Sequence, residues 1–231
     1  MTTAAGHTPQ AHFAAVDPVL AAIAAAAGPC PLGQSSRGSV FEALARSIAG
    51  QQLSGAVAAR ILERLISLHD GRFPTATEMA AADVTTLRGA GFSFAKVAAL
   101  HDLAAHTLDG RLAADAVLAA QDDEAVITQC CSVRGIGRWS AQMLLMFHLG
   151  RPDVLPVGDF GVCNGFRLAY GLKGMPQPAA LARFGERWGP WRSVAAWTLW
   201  RAVDLHRAGT LPVRSGRAPR VALVKAKTQA P

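Results

Sequence analysis

Apolar positions recur at helical spacing through most of this chain. Leu44 and Ile48 stand four apart behind Ser39-Val40-Phe41-Glu42, a segment with the Ser-x-x-Glu form of a capping box. Leu53, Val57, Ile61 and Leu65 repeat at the same interval, with Leu62 and Ile66 widening the face, and predict a helix over 53–68 that Gly71 to Pro74 ends. Upstream, Asp17-Pro18 is a cap followed by a first-turn proline, opening a helix that stops at Gly28-Pro29. Residues 1–12 read as frayed, and Gly33 to Gly38 as a polar connection. Short helices are expected over 77–89. Ser93 caps a longer one to about 108, with Val97, Leu100 and Leu103 inward. Asp122-Asp123-Glu124 places negative charge in the first turn of a helix ending near Cys131, as the helix dipole prefers. The segment Ser132 to Gly137 interrupts, and 138–149 is helical again. Asp159 can cap a helix to Tyr170, and two more follow over 178–187 and 190–207. There is little strand signal and no long-period repeat. The fold class is therefore all-α.

Composition agrees. Alanine dominates and 51% of residues are apolar, which favours helices over a sandwich or barrel. A chain of 231 residues is long enough for one domain or for two helical lobes sharing a cleft. No apolar run approaches the ~20 residues that span a bilayer. Met1 to Gln10 contains no Lys or Arg and no compact apolar stretch, so no signal peptide is read there and a cytoplasmic location is expected. The net charge of +7 points to a polyanionic partner, but six of the 23 basic residues, Arg207 to Lys227, follow His206, and without them 17 basic residues face 16 acidic ones. The basic excess thus lies at the C-terminal end, five of these six residues in a tail, 209–231, whose Pro212, Pro219 and charges predict no regular structure. Cys30, Cys130, Cys131 and Cys163 match neither a zinc-ligand spacing nor a disulfide framework and read as reduced thiols.

The most informative segment is Val133-Arg134-Gly135-Ile136-Gly137-Arg138-Trp139-Ser140-Ala141. Two glycines flank one aliphatic residue between two helices. Glycine permits positive φ and close approach of the backbone to another surface. Ile136 can plug the angle between the helices, leaving the N–H groups of Gly137, Arg138 and Trp139 at a helix start, where phosphate binds well. Any tight helix-helix turn can use Gly-x-Gly, so this segment alone decides nothing. Asp159 by itself is likewise as well suited to a helix cap as to chemistry, and the two roles do not exclude each other.

Together with Leu155-Pro156-Val157-Gly158-Asp159-Phe160-Gly161-Val162, the hairpin resembles the helix-hairpin-helix DNA glycosylase superfamily. Within it the chain is most similar to the bacterial 3-methyladenine DNA glycosylase II group. Gly50-Gln51-Gln52-Leu53-Ser54 matches that group's Gln-containing turn. Trp188-Gly189-Pro190-Trp191-Arg192-Ser193, with Trp197 and Trp200, matches its C-terminal signature. The likeness runs over 39–205. It implies a two-lobed helical domain over 1–208, one lobe from 39–150 and the other from 12–38 with 151–208. Three departures qualify it. Bifunctional relatives carry a Lys where Trp139 stands, which argues against lyase chemistry through a Schiff base. No Cys follows Cys163, so the four-Cys iron–sulfur motif of the endonuclease III branch is absent. Only 38 residues precede Ser39, which suits the compact form that lacks an N-terminal α/β domain.

The resemblance implies hydrolytic release of alkylated bases such as 3-methyladenine and 7-methylguanine from double-stranded DNA by a monomer associated with the nucleoid, with no cofactor required. Asp159 is the implied catalytic carboxylate, stabilising oxocarbenium-like charge on the sugar or aligning water. Trp139 and Trp200 are the implied walls of the pocket for a flipped base, bordered by Phe41 and Phe92. An indole face favours a cationic base by roughly 0.5–2 kcal/mol. Trp188, Trp191 and Trp197 read instead as core. Gln52 or its neighbour Leu53 is the implied wedge, Gln having the added capacity to hydrogen-bond the orphaned base. Gln51, Ser54, Ser93, Lys96, Gly135, Gly137, Arg138 and Ser140 are the implied DNA contacts. The carbonyls of Cys131, Val133 and Ile136 are the implied holders of a structural monovalent cation. Arg192 suits a DNA anchor or a partner for a core acid equally. The rival readings are a hairpin-based DNA-binding module without chemistry, which would not require Asp159 and the aromatic pair, and an oxidised-base glycosylase with lyase activity, which Trp139 disfavours.

Overall fold

A computed structural model describes residues 8–32 and 38–212. The expected polar connection over 33–37 and the basic tail from 213 lie outside the described residues. All regular structure among the described residues is helical, in two compact units, one drawn from Met1–Gln34 and Arg151–Pro231 and the other from Ser35–Gly150. None of the described helices is long and apolar enough to cross a membrane.

The first unit holds α1 (Pro9–Val16), α2 (Pro18–Ala27), α11 (Phe160–Ala169), α12 (Pro178–Gly185), a 3₁₀ turn (Glu186–Trp188) and α13 (Arg192–Arg207). Helix α1 corrects the expectation of a frayed start over 8–12. Thr8 caps it through the Ala11 N–H, Pro9 sits in its first turn, and Phe13 is completely buried. Burying such a ring contributes ~1.5–3 kcal/mol, enough to hold a short helix that little else in its sequence announces. Asp17 caps α2 and is itself buried. Its carboxylate accepts the Tyr170 hydroxyl at 2.6 Å, the Trp188 indole N–H at 2.8 Å and the Leu20 amide at 3.1 Å. Burial, reinforced by the Asp17 charge, holds the Tyr170 hydroxyl well above its ordinary pKa. Phe166, Tyr170, Phe184 and Trp188 form the aromatic core above this carboxylate, ring centroids 4.6–6.2 Å apart. Helices α11 and α13 approach so closely at Gly165 that a Cβ there would strike the Leu199 carbonyl.

The second unit contains α3 (Val40–Gly50), α4 (Gly55–Ser67), α5 (Ala76–Ala81), α6 (Val84–Ala90), α7 (Phe94–Leu108), α8 (Asp115–Ala120), α9 (Asp123–Ser132) and α10 (Arg138–Met143), the last continued by a π turn over Leu144–His148. Ser39 caps α3 as its sequence predicts, while the Glu42 carboxylate bonds the Arg46 guanidinium one turn on. Leu44, Ile48, Leu65, Leu100 and Leu103 supply the core. The predicted stripe of α4 holds only at its C-terminal end: Ile61 and Leu65 are buried, whereas Leu53 lies before the helix and is 39% exposed, and Val57 is 45% exposed. Helix α8 has no counterpart in the sequence reading. It is six residues long, its cap position is Ala114, and it is held by a buried Leu118. Asp115 in its first turn accepts the Val40 amide from 75 positions away at 3.0 Å.

Candidate functional site

The hairpin forms between α9 and α10, with only Gly135 in a conformation that calls for glycine, since Gly137 is extended with open space where a Cβ would stand. Gly135 has φ +78°, Ile136 is buried, and the Ile136 amide closes onto the Val133 carbonyl at 3.1 Å. Gly137 is the extended cap residue of α10 and supplies no side-chain cap, so the positive end of the helix lies at the turn. Two contacts brace it from other helices: the Arg134 amide donates to Asp102 at 2.7 Å, and the Gln51 side-chain amide donates to the Gly135 carbonyl at 2.8 Å. The Val133 carbonyl retains a second lone pair beside the Ile136 bond. Of the three carbonyls expected to hold a monovalent cation, that of Val133 already accepts the Ile136 amide. No group of three or more His, Cys, Asp or Glu among the described residues could hold a metal.

Gln51 ends α3, and Gln52 follows with φ +58°, a left-handed conformation uncommon for a residue with a side chain. Gln52 and Leu53 are both exposed, and Ser54 caps α4. Gln52 and Trp139 line one cavity of about 480 Å³ together with Arg46, Ser47, Gly50 and Gln51, so the structure brings the expected wedge and one expected pocket wall together. Trp139 is 50% exposed. A neighbouring cavity of about 560 Å³ shares Arg46 and Ser47 and extends along α3 and α10 past Met143 and Phe147 to His148.

Other expected residues have different places. Phe92 has no exposed surface and Phe41 is buried edge-on against Phe73, so both rings belong to the core of the second unit and present no wall to a ligand. Ser140 is largely buried and lines the larger of the two cavities. Ser93 caps α7, and the Lys96 ammonium donates to the Ala49 carbonyl at 2.7 Å, tying α7 to the end of α3; partial burial lowers its pKa. Arg138 pairs with Glu124 in an exposed bridge, worth little to stability. Arg192 pairs with the half-buried Asp153, its Nε and Nη2 each bonding one carboxylate oxygen at 2.7 Å.

In the first unit, Asp159 caps α11. Its Oδ1 accepts the Val162 amide at 2.6 Å and the Trp200 indole N–H at 2.8 Å, while its own amide closes on the Pro156 carbonyl at 2.9 Å. The carboxylate expected to act in the chemistry is thus also the helix cap. Phe160, which follows Asp159, is 74% exposed.

The HhH-GPD model, described as "HhH-GPD superfamily base excision DNA repair protein", matches residues 45–190. The chain is 35% identical over 175 residues to DNA-3-methyladenine glycosylase 1 of Schizosaccharomyces pombe, covering 75% of this chain and 76% of that protein. It is 32% identical over 169 residues to DNA-3-methyladenine glycosylase 2 of Escherichia coli, covering 69% of this chain and 56% of that protein. Among solved structures, the S. pombe 3-methyladenine DNA glycosylase in complex with abasic DNA superposes with a TM-score of 0.75 at 30% identity, over 85% of this chain and 97% of the other. A DNA-3-methyladenine glycosidase from Bacillus halodurans superposes with a TM-score of 0.79 at 30% identity, over 91% and 96%. The matched span contains the hairpin, the Gln51-Gln52 turn and Asp159, and the chain belongs to the HhH-GPD superfamily of base excision DNA repair proteins.

Proposed function

We propose that the chain hydrolyses the N-glycosidic bond of alkylated bases in double-stranded DNA, of the 3-methyladenine and 7-methylguanine type, and leaves an abasic site. The observation that carries this reading is Asp159, a carboxylate at the start of α11 gripped by the Val162 amide and the Trp200 indole. The names of the relatives supply the substrate class. An alkylated purine carries positive charge and departs with the electron pair of its bond to C1′. The sugar is left with oxocarbenium character, which the Asp159 carboxylate stabilises. Water adds at C1′ and loses a proton, for which Asp159 is the acceptor.

Gln52 acts as the wedge that fills the gap behind the flipped base, and Trp139 offers its face to the cationic ring. The hairpin amides grip the DNA backbone. Cys131, Val133 and Ile136 would hold a monovalent cation there, supplying positive charge beside a phosphate. Trp139 at the position of the Schiff-base Lys makes the enzyme monofunctional, acting as a monomer on nucleoid DNA. The test is base release from methylated duplex DNA, with borohydride added to a parallel reaction on abasic DNA. Free 3-methyladenine without a trapped covalent adduct supports the reading. No release refutes it, and a trapped adduct refutes the monofunctional part.

A further inference from the structure

Gly161 and Trp200 lie against the Asp159 carboxylate in an arrangement that base stacking does not require. Gly161 is the second residue of α11, and a Cβ placed on it would come within 2.7 Å of Trp200 Cδ1, 2.9 Å of Trp200 Nε1 and 3.1 Å of Asp159 Oδ1. Such distances to a ring carbon and nitrogen are closer than atoms tolerate. One turn on, Gly165 performs the same service for the α13 backbone at Leu199. Two glycines four apart therefore let α13 settle on the start of α11 until the indole N–H reaches Asp159 Oδ1 at 2.8 Å.

We propose that Gly161 and Trp200 are positioning residues for Asp159: the bare Cα of Gly161 admits the indole, and the indole N–H fixes the orientation of the carboxylate. An Asp side chain turns through a broad range about its second torsion. The Val162 amide restrains one oxygen from the direction of the helix axis. A second donor, from α13, approaches the same oxygen along a different line and sets the carboxylate plane, and with it the direction of Oδ2. A charged hydrogen bond of this kind is among the stronger ones a protein makes, and a misdirected group costs rate more than binding. Trp200 thus serves the carboxylate through its nitrogen, whatever its ring face also does.

The inference rests on the glycosylase reading, and its test separates the two. Single-turnover release of 3-methyladenine from methylated duplex is compared for wild type, Trp200→Phe, Gly161→Ala and the double variant, alongside affinity for DNA bearing an abasic site. Trp200→Phe retains an aromatic face but has no N–H. It should slow release about ten- to a hundredfold, the usual effect of losing a hydrogen bond to a charged group, with affinity within about twofold. Gly161→Ala should slow release similarly, and the double variant should be no slower than Trp200→Phe, because both changes remove one contact. Independently, the Trp200 indole N–H resonance should shift in Asp159→Asn and in Gly161→Ala. Release by Trp200→Phe or Gly161→Ala within twofold of wild type, additive losses, or an unmoved indole resonance would overturn the proposal. Should Gly161→Ala unfold, Trp200→Phe and the resonance in Asp159→Asn decide. Failure of wild type to release any alkylated base refutes the glycosylase reading instead, and the indole resonance still tests the contact.

Discussion

The side-chain amide of Gln51 donates to the Gly135 carbonyl at 2.8 Å, across 84 positions of sequence. It fastens the turn that carries Gln52 to the hairpin between α9 and α10. Gln51→Ala should cost about 1 kcal/mol in urea unfolding, the net worth of one hydrogen bond. Gln51→Glu keeps the size but sets a carboxylate oxygen against a carbonyl, and should cost more than Ala. A Glu variant as stable as wild type would show that this contact does not hold the two loops together.

Gln52 stands in a left-handed conformation at an exposed turn. That conformation costs a residue with a Cβ roughly 1–2 kcal/mol, and glycine adopts it freely. Gln52→Gly should therefore raise the melting temperature, by about 2–4 °C per kcal/mol recovered in a chain of this size. The same variant should release alkylated bases from duplex more slowly, with less effect on single-stranded DNA, where no gap is left to fill. Equal losses on both substrates would remove Gln52 from the wedge role.

Asp17 anchors the first unit through donors separated from it by 153 and 171 positions. Asp17→Ala strands the buried Tyr170 hydroxyl and Trp188 N–H and removes the cap of α2. About 3 kcal/mol of stability should disappear, measured by urea unfolding. A loss below 1 kcal/mol would mean that these two groups find other partners.

Asp153 responds to acid. Burial raises its carboxyl, but the hydrogen bonds and charge of Arg192 outweigh that, and the net value falls below the ordinary carboxylate range. A carboxyl depressed in the folded state contributes stability fully above its unfolded pKa of about 3.9, and loses it as pH falls through the folded value. Arg192→Gln should melt below wild type at pH 7, with the difference narrowing below about pH 4. A difference constant from pH 7 to pH 3 would assign the loss to packing instead of charge.

The helices with capping residues and long apolar periods were legible in the sequence, because Ser39, Ser93 and Asp159 and the stripes behind them act locally. Helix α8 was not, since its hold comes from Leu118 burial and its Asp115 serves a distant amide. The same division runs through the site. Asp159 and the hairpin glycines are visible as motifs, and Gly135 stands in a backbone conformation that favours glycine. Phe41 and Phe92 carry no local sign that their rings are buried. The contact of Trp200 with Asp159 joins positions 41 apart, and the role of Gly161 exists only because α13 lies against it. Spacing along the chain does not encode such proximity.

The most direct test is single-turnover release of 3-methyladenine from methylated duplex by wild type and Asp159→Asn at matched, saturating protein. Asparagine retains an oxygen for the Val162 and Trp200 donors but lacks the charge that the sugar cation needs. Release by the variant should fall at least about a hundredfold, the scale of losing one transition-state electrostatic contact, with binding to duplex unchanged. Release at the wild-type rate by Asp159→Asn would contradict the assignment of this carboxylate to the chemistry.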